Sequence, residues 1–151
     1  MNPETLFSIA NTAVLPGWVL LVFLPRWRGS ARLVSAVVIP GLLAILYSYL
    51  IGTNIFGAEG GFGSLPGVAQ MFENRNLLLA GWVHYLAFDL FVGAWEVRDA
   101  QRSGVHHLLV VPCLILTLML GPTGLLLYLA IRAVRRGGAF GNRVTIDEAA
   151  S

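Results

Sequence analysis

The sequence predicts an all-α, polytopic membrane protein, a four-helix transmembrane bundle with Pro-kinked helices. Hydrophobic residues make up 56% of its 151 residues and charged residues 12%, whereas a soluble domain has about 25% charged residues. Four apolar runs are long enough to cross a bilayer, because about 20 residues of helix span the ~30 Å hydrocarbon layer. We expect one transmembrane domain over residues 1–136 and a polar C-terminal tail over residues 137–151.

The first two predicted spans cover residues 6–24 and 33–51. The link between them is short and rich in arginine, so the two helices should form an antiparallel hairpin. Each helix contains a proline followed by glycine, at Pro16 and Pro40. A proline frees a backbone carbonyl in the preceding turn, and a neighbouring group must satisfy it within a membrane. Counted from the link, both prolines should lie at a similar depth.

The third predicted span, residues 77–97, organises the chain because it carries three ionisable side chains. Asn74 or Asn76 should cap its N-terminus. Acidic residues within a membrane usually face the bundle interior or a water-filled cavity and mark a site. We therefore predict Asp89 as an acid or base, with His84 or Glu96 as its counterpart. The alternatives are structural hydrogen bonds for Asp89 and His84 and, for Glu96, a solvated or paired charge near the water boundary.

A ligand-binding surface is predicted around Asp89. Residues spaced by seven, or by three or four, share one face of a helix. Asp89 therefore shares a stripe with aromatic and small residues, while His84 points about 140° away. Aromatic side chains here also suit the ordinary packing of a core or an aromatic belt. The predicted ligand-binding residues are Trp82, Tyr85, Phe88 and Gly93 on this helix, with Asn11 and Trp18 on the first.

The fourth predicted span covers residues 108–134 and is longer than a bilayer requires. It should therefore tilt or kink, and Gly121-Pro122 supplies the kink site. With four spans, the ten arginines divide equally between the two sides of the membrane, so their distribution gives no orientation. Because the first strong signal usually dominates, we expect the first link to be cytoplasmic.

Other chemistry has less support in the sequence. We expect no metal site; the alternative is a site formed by His106, His107 and Asp99, although adjacent histidines point to different sides of a helix. Cys113 stands alone and predicts no disulfide. The formal net charge of +2 comes with no basic stripe of the kind that binds nucleic acid. No cofactor is expected.

Helices three and four together carry a recognisable pattern. The chain resembles the abscisic-acid-deficient-four-like family of small integral membrane proteins from about Asn11 to Tyr128. The resemblance rests on Trp82-x-His84, Ala87-x-Asp89-Leu90-Phe91, Asp99, Pro112, Gly121-Pro122-x-Gly124 and the stretch Asn11–Trp18.

The resemblance implies a link to carotenoids, because the plant members are plastid membrane proteins required for making neoxanthin from violaxanthin. Isomerising a 5,6-epoxide to an allenic alcohol requires an acid and a base but no redox cofactor. We therefore expect a cofactor-independent isomerase acting on a carotenoid or isoprenoid, or an accessory factor. A non-catalytic lipid or carotenoid binder is an alternative, and a small transporter is a third.

The composition also indicates a host. All ten basic residues are arginine, which is typical of a high-GC bacterial protein and predicts the bacterial inner membrane. The expected partners are membrane lipid, an apolar isoprenoid or carotenoid ligand, and a second copy of the chain in a homo-oligomer.

Overall fold

The computed structural model describes residues 2–25 and 33–149, and the side chains of those residues up to position 135. The predicted arginine-rich link therefore lies largely outside the described residues. All regular elements of the described part are helical, which confirms the predicted fold class. They are α1 (Pro3–Phe23), a π-helical turn (Val34–Val38) leading into α2 (Ile39–Asn54), a 3-10 turn (Ile55–Gly57), α3 (Leu65–Met71), α4 (Arg75–Ser103), α5 (His107–Leu120) and α6 (Pro122–Ala149).

Three of the described helical segments are long and apolar enough to cross a membrane. They are α1 with 21 residues, the segment Val34–Gly57 with 24 and α4 with 29. The predicted count of four spans is wrong, because the fourth apolar run is divided into α5 and α6. The protein is an integral membrane protein by the length and composition of these helices.

The division of the fourth run occurs at Gly121. Its φ of +49° lies in a region that glycine adopts far more readily than other residues. Pro122 follows as the first residue of α6, where its missing N–H costs no helical hydrogen bond. The Gly121-Pro122 pair therefore ends one helix and begins another, instead of kinking a single helix.

The chain forms two compact units, residues 1–91 and 92–151. In the first unit, α1 and the segment Val34–Asn54 approach α4 where their prolines lie. A Cβ atom on Gly17 would come within 2.7 Å of the Leu90 side chain and 3.2 Å of Ile39. The buried Ser35 hydroxyl donates a hydrogen bond to the Gly17 carbonyl at 3.1 Å. The proline-glycine step of α1 therefore packs beside Leu90, the residue after Asp89.

Pro40 accounts for the π-helical turn that precedes α2. The Ile39 N–H bonds to the Val34 carbonyl, five residues earlier, and Pro40 has no N–H with which to continue the normal ladder. At the start of α4, the Asn74 side chain accepts hydrogen bonds from the N–H groups of Asn76 (2.9 Å) and Leu77 (3.4 Å). The predicted cap is confirmed.

The second unit contains the end of α4 packed with α5 and α6. A Cβ atom on Gly124 would overlap the backbone nitrogen and hydroxyl of Thr117 and lie 2.5 Å from the Cys113 carbonyl. The start of α6 therefore lies directly against the backbone of α5. These two helices form a close helical hairpin.

Candidate functional site: an aromatic groove beside Asp89

A groove with a volume of about 620 Å³ lies in the first unit, between α1, α3 and α4. Its walls are mainly apolar and aromatic, as expected of a site for a small apolar molecule. An ion pair between Glu4 and Arg75, 3.2 Å apart and largely exposed, lies at its edge. The residues that give the groove its character are Phe7, Phe72, Leu78, Gly81, Trp82 and Tyr85.

Three aromatic rings form a continuous row along the groove. The ring centroids of Phe7 and Trp82 are 5.6 Å apart, and those of Trp82 and Tyr85 are 5.5 Å apart, within the range of favourable aromatic pairs. The Trp82 indole N–H donates to the Asn11 side-chain oxygen at 3.1 Å. The Asn11 amide in turn donates to the Phe7 carbonyl at 2.8 Å, so hydrogen bonds to α1 hold this ring in place.

The groove depends on a close approach between α3 and α4. The Phe72 ring lies 3.3 Å from the position that a Cβ atom on Gly81 would occupy. Met71, at the end of α3, is 2% exposed, and it anchors this short helix. Glycine at position 81 therefore lets the aromatic side chain of Phe72, the residue that follows α3, lie over α4 and close one wall of the groove.

Asp89 lies one helical turn beyond the end of the aromatic row. Its carboxyl group is hydrogen-bonded to the Tyr85 side chain, while its Oδ2 atom is buried and has no hydrogen-bond partner in the part of the chain that the structure describes. Tyr85 lines the groove and lies between it and Asp89. A group bound in the groove would meet the Tyr85 phenol first.

His84 lies on another face of α4, as the sequence predicts. Its ring stacks on Phe88 with centroids 4.4 Å apart and lies 5.5 Å from the ring of Tyr47 on α2. Neither His84 nor Phe88 lines the groove. Trp18, another predicted ligand-binding residue, is 4% exposed and packs in the interior. These observations place His84, Phe88 and Trp18 apart from the aromatic groove.

Glu96 is fully buried, so the expectation of a solvated charge near the water boundary is wrong. The Thr117 hydroxyl donates a hydrogen bond to Glu96 Oε1 at 3.1 Å. Because α5 covers this part of α4, the carboxyl group is enclosed among side chains of the second unit. Gly93 is also buried and belongs to that unit. The place of Gly93 and Glu96 in a site with Asp89 stays a prediction.

Comparison with known proteins assigns the chain to a family. A profile of the ABA4-like family, described as ABA DEFICIENT 4-like, matches residues 5–128. The chain belongs to the ABA4-like family. It is 25% identical over 139 residues to Protein ABA DEFICIENT 4, chloroplastic, of Arabidopsis thaliana. The alignment covers 87% of this chain and 62% of that relative, so the chain spans less than two thirds of its curated relative. No solved structure matches.

The family match covers the aromatic row and Asp89 of this ABA4-like chain. Of the predicted ligand-binding residues, Trp82 and Tyr85 line the groove and Asn11 bonds to Trp82. Phe7 and Phe72, which also line it, were not among the predicted residues. The signals for these two residues lie in short stretches far from α4 in the sequence. Only the packing of α1 and α3 on α4 shows that they line one groove.

A second polar cluster in the ABA4-like fold surrounds Asp99. Its Oδ2 lies 2.7 Å from Arg132 Nε and accepts a hydrogen bond from the Tyr128 hydroxyl at 2.6 Å, while its Oδ1 accepts one from Arg132 at 3.0 Å. Trp95 contacts the Tyr128 ring edge to face, with centroids 5.6 Å apart. The sequence contains one signal for this cluster. Tyr128 and Arg132 are four residues apart and therefore lie on one face of a helix.

The alternative metal site is not assembled in the described residues. No group of three or more His, Cys, Asp or Glu side chains there is close enough to hold a metal ion. His106 caps α5, accepting a hydrogen bond from the Leu108 N–H at 3.4 Å, while Asp99 bonds to Arg132 and Tyr128. His106 and Asp99 therefore have structural roles, one as a helix cap and the other in the Asp99 cluster.

Proposed function

We propose that this ABA4-like protein binds a carotenoid or another isoprenoid in the aromatic groove and isomerises it without a cofactor, or presents it to another membrane enzyme. The observation that supports the proposal is the aromatic groove lined by Tyr85, with Asp89 hydrogen-bonded to Tyr85 behind it. Its volume of about 620 Å³ is in the range of clefts that hold small organic ligands. A long polyene would place one end group in the groove and leave the rest in lipid.

The proposed chemistry uses Tyr85 and Asp89 as one unit. Opening an epoxide requires a proton at its oxygen as the C–O bond breaks, and forming the allenic alcohol requires loss of a proton from the polyene carbon. Tyr85 lines the groove and would donate to the oxygen. Asp89, hydrogen-bonded to Tyr85, would pass its own proton to the Tyr85 oxygen as Tyr85 donates, and would recover a proton through Tyr85 when that oxygen takes the one released from carbon. The pair ends as it began, so the step is an isomerisation with no net redox change.

A pigment analysis tests the proposal. In a strain lacking the gene, the wild-type gene should restore the isoprenoid profile, and the Asp89→Asn variant should fail to restore it while reaching the same level in the membrane. Glu59→Gln, a change in an exposed loop, is the matched control and should restore the profile. An unchanged profile in the deletion strain would contradict the proposal.

A non-catalytic binder is the second candidate, favoured by the position of Asp89 behind Tyr85 instead of in the groove lining. It predicts that pigment or lipid copurifies with the protein in mild detergent. That ligand should remain bound in Asp89→Asn and be lost in Trp82→Ala. Restoration of the pigment profile by Asp89→Asn, together with its loss in Trp82→Ala, would support this candidate over the enzyme.

We also propose that the protein lies in a bacterial inner membrane. Its lysine-free composition supports this location. Membrane fractionation of the native host tests this location. We expect the protein in the inner-membrane fraction, and its absence there would contradict the proposal.

A further inference from the structure

We propose that α5 and α6 form a re-entrant hairpin, which enters the membrane from the side where α4 ends and leaves on that same side. The 14 residues of α5 rise about 21 Å, which is short of the ~30 Å hydrocarbon layer. Apolar helices of 10–14 residues are typical of buried or re-entrant segments. The inference is independent of the proposed function.

Contacts with α4 give the direction of each helix. α5 begins four residues after α4 ends at Ser103, and Thr117, late in α5, reaches Glu96. After the turn, Arg132 of α6 lies beside Asp99, near the C-terminal end of α4. If residues 107–132 formed one continuous spanning helix, Arg132 would lie about 37 Å from His107, on the opposite side of the membrane. α6 therefore returns to the level at which α5 began.

The backbone of the turn between the two helices is enclosed by protein at Gly121. Gly121 is buried, with a φ of +49°, and its N–H bonds to the Thr117 carbonyl at 2.9 Å. Gly124 lies against the Thr117 backbone. Irregular backbone at membrane depth is tolerated where protein buries it. The Gly121 backbone meets this condition, although the side chains of Leu120 and Pro122 beside it are exposed, and the Asp99 cluster fixes the open end of the hairpin.

The arginine distribution gives independent support. With four spans, the arginines divide equally between the two sides of the membrane. With a re-entrant hairpin, the arginines after α5 lie on the same side as the C-terminus of α4. Arg75 alone then remains on the other side. Because cytoplasmic loops carry the excess of arginine, the hairpin opens to the cytoplasm. The arginines counted there from the sequence are Arg26, Arg28, Arg32, Arg98, Arg102, Arg132, Arg135, Arg136 and Arg143.

Cysteine labelling with a membrane-impermeant maleimide tests the topology in spheroplasts that express the full chain. Gly63→Cys reports the loop before α4, Arg102→Cys the end of α4, and Arg135→Cys the far end of the hairpin. We expect Gly63→Cys to label in intact spheroplasts, and the other two only after permeabilisation. Wild-type protein, whose Cys113 is buried, provides the background.

The decisive comparison is between Arg135→Cys and the two reference positions. Labelling of Arg135→Cys under the same conditions as Gly63→Cys would overturn the proposal, as would its failure to label after permeabilisation. An epitope tag after Ser151 gives a second measurement without a core substitution. External protease should spare the tag in intact spheroplasts, and digestion of the tag there would overturn the proposal.

Discussion

At the scale of single residues, Trp82 is the middle ring of the aromatic row in the groove. Its indole N–H bonds to Asn11 on α1, and its ring contacts both Phe7 and Tyr85. Trp82 is 39% exposed, so part of its surface is available to a ligand. This arrangement combines a fixed orientation with an accessible apolar face.

We predict that Trp82→Ala weakens retention of the copurifying ligand about 10-fold or more, because truncating an aromatic anchor at a binding surface costs on the order of 2 kcal/mol. Trp82→Phe keeps most of the apolar contact and should lose less. Extracted ligand per mole of protein, measured in mild detergent, checks the prediction. Equal ligand content in wild type and Trp82→Ala would contradict the placement of the ligand in this groove.

Gly124 allows the start of α6 to pack directly against the backbone of α5. We predict that Gly124→Ala destabilises the protein by about 1–3 kcal/mol or more, because the added methyl group overlaps the backbone of α5, which cannot rotate away. Gly52→Ala is the matched control, since a Cβ there meets nothing within 4 Å. Thermal unfolding in detergent should show a lower midpoint for Gly124→Ala only. Equal midpoints for the two variants would show that α6 does not approach α5 this closely.

At the scale of elements, the Asp99 cluster joins α4 to α6. Asp99 and Arg132 have only 14% and 25% of their side-chain surface exposed, so removing one partner leaves a partly buried charge. Such a loss usually costs more than the net value of the pair. The cluster therefore fixes the position of α6 more than it adds to overall stability.

We predict that Asp99→Asn and Arg132→Gln each destabilise the protein by about 2–4 kcal/mol, whereas the double variant is less unstable than the sum of the two. Tyr128→Phe should cost about 1–3 kcal/mol because it removes one hydrogen bond to a charged group. A double-mutant cycle of unfolding in detergent measures these values. Strict additivity would mean that the two side chains do not interact in the membrane.

At the scale of the whole molecule, binding and stability are coupled. A ligand that binds only the folded protein stabilises it by about 2.7 kcal/mol at 100 times its dissociation constant. We predict that adding an isoprenoid with a ring end group raises the unfolding midpoint of wild type and of His84→Gln. It should not raise that of Trp82→Ala. An equal rise in all three proteins would indicate a nonspecific detergent effect.

Much of the architecture follows from local sequence. The spans at α1, α2 and α4 were predictable because a membrane helix is defined by the length and composition of one apolar run. The Asn74 cap was predictable because capping involves neighbouring residues. Asp89 and its stripe with Trp82 and Tyr85 followed from helical periodicity alone.

Tertiary structure decided what depends on contacts between distant residues. Glu96 looked interfacial by its position, and only the packing of α5 over α4 buries it against Thr117. Gly121-Pro122 allows both a kink and a break, and the close packing of Gly124 on α5 accompanies the break. The sequence by itself determined that this is an ABA4-like membrane protein with an acidic residue, Asp89, within a membrane-spanning helix. Packing decided which side chains form the groove and where the fourth apolar run turns, because those choices depend on neighbours that no local pattern identifies.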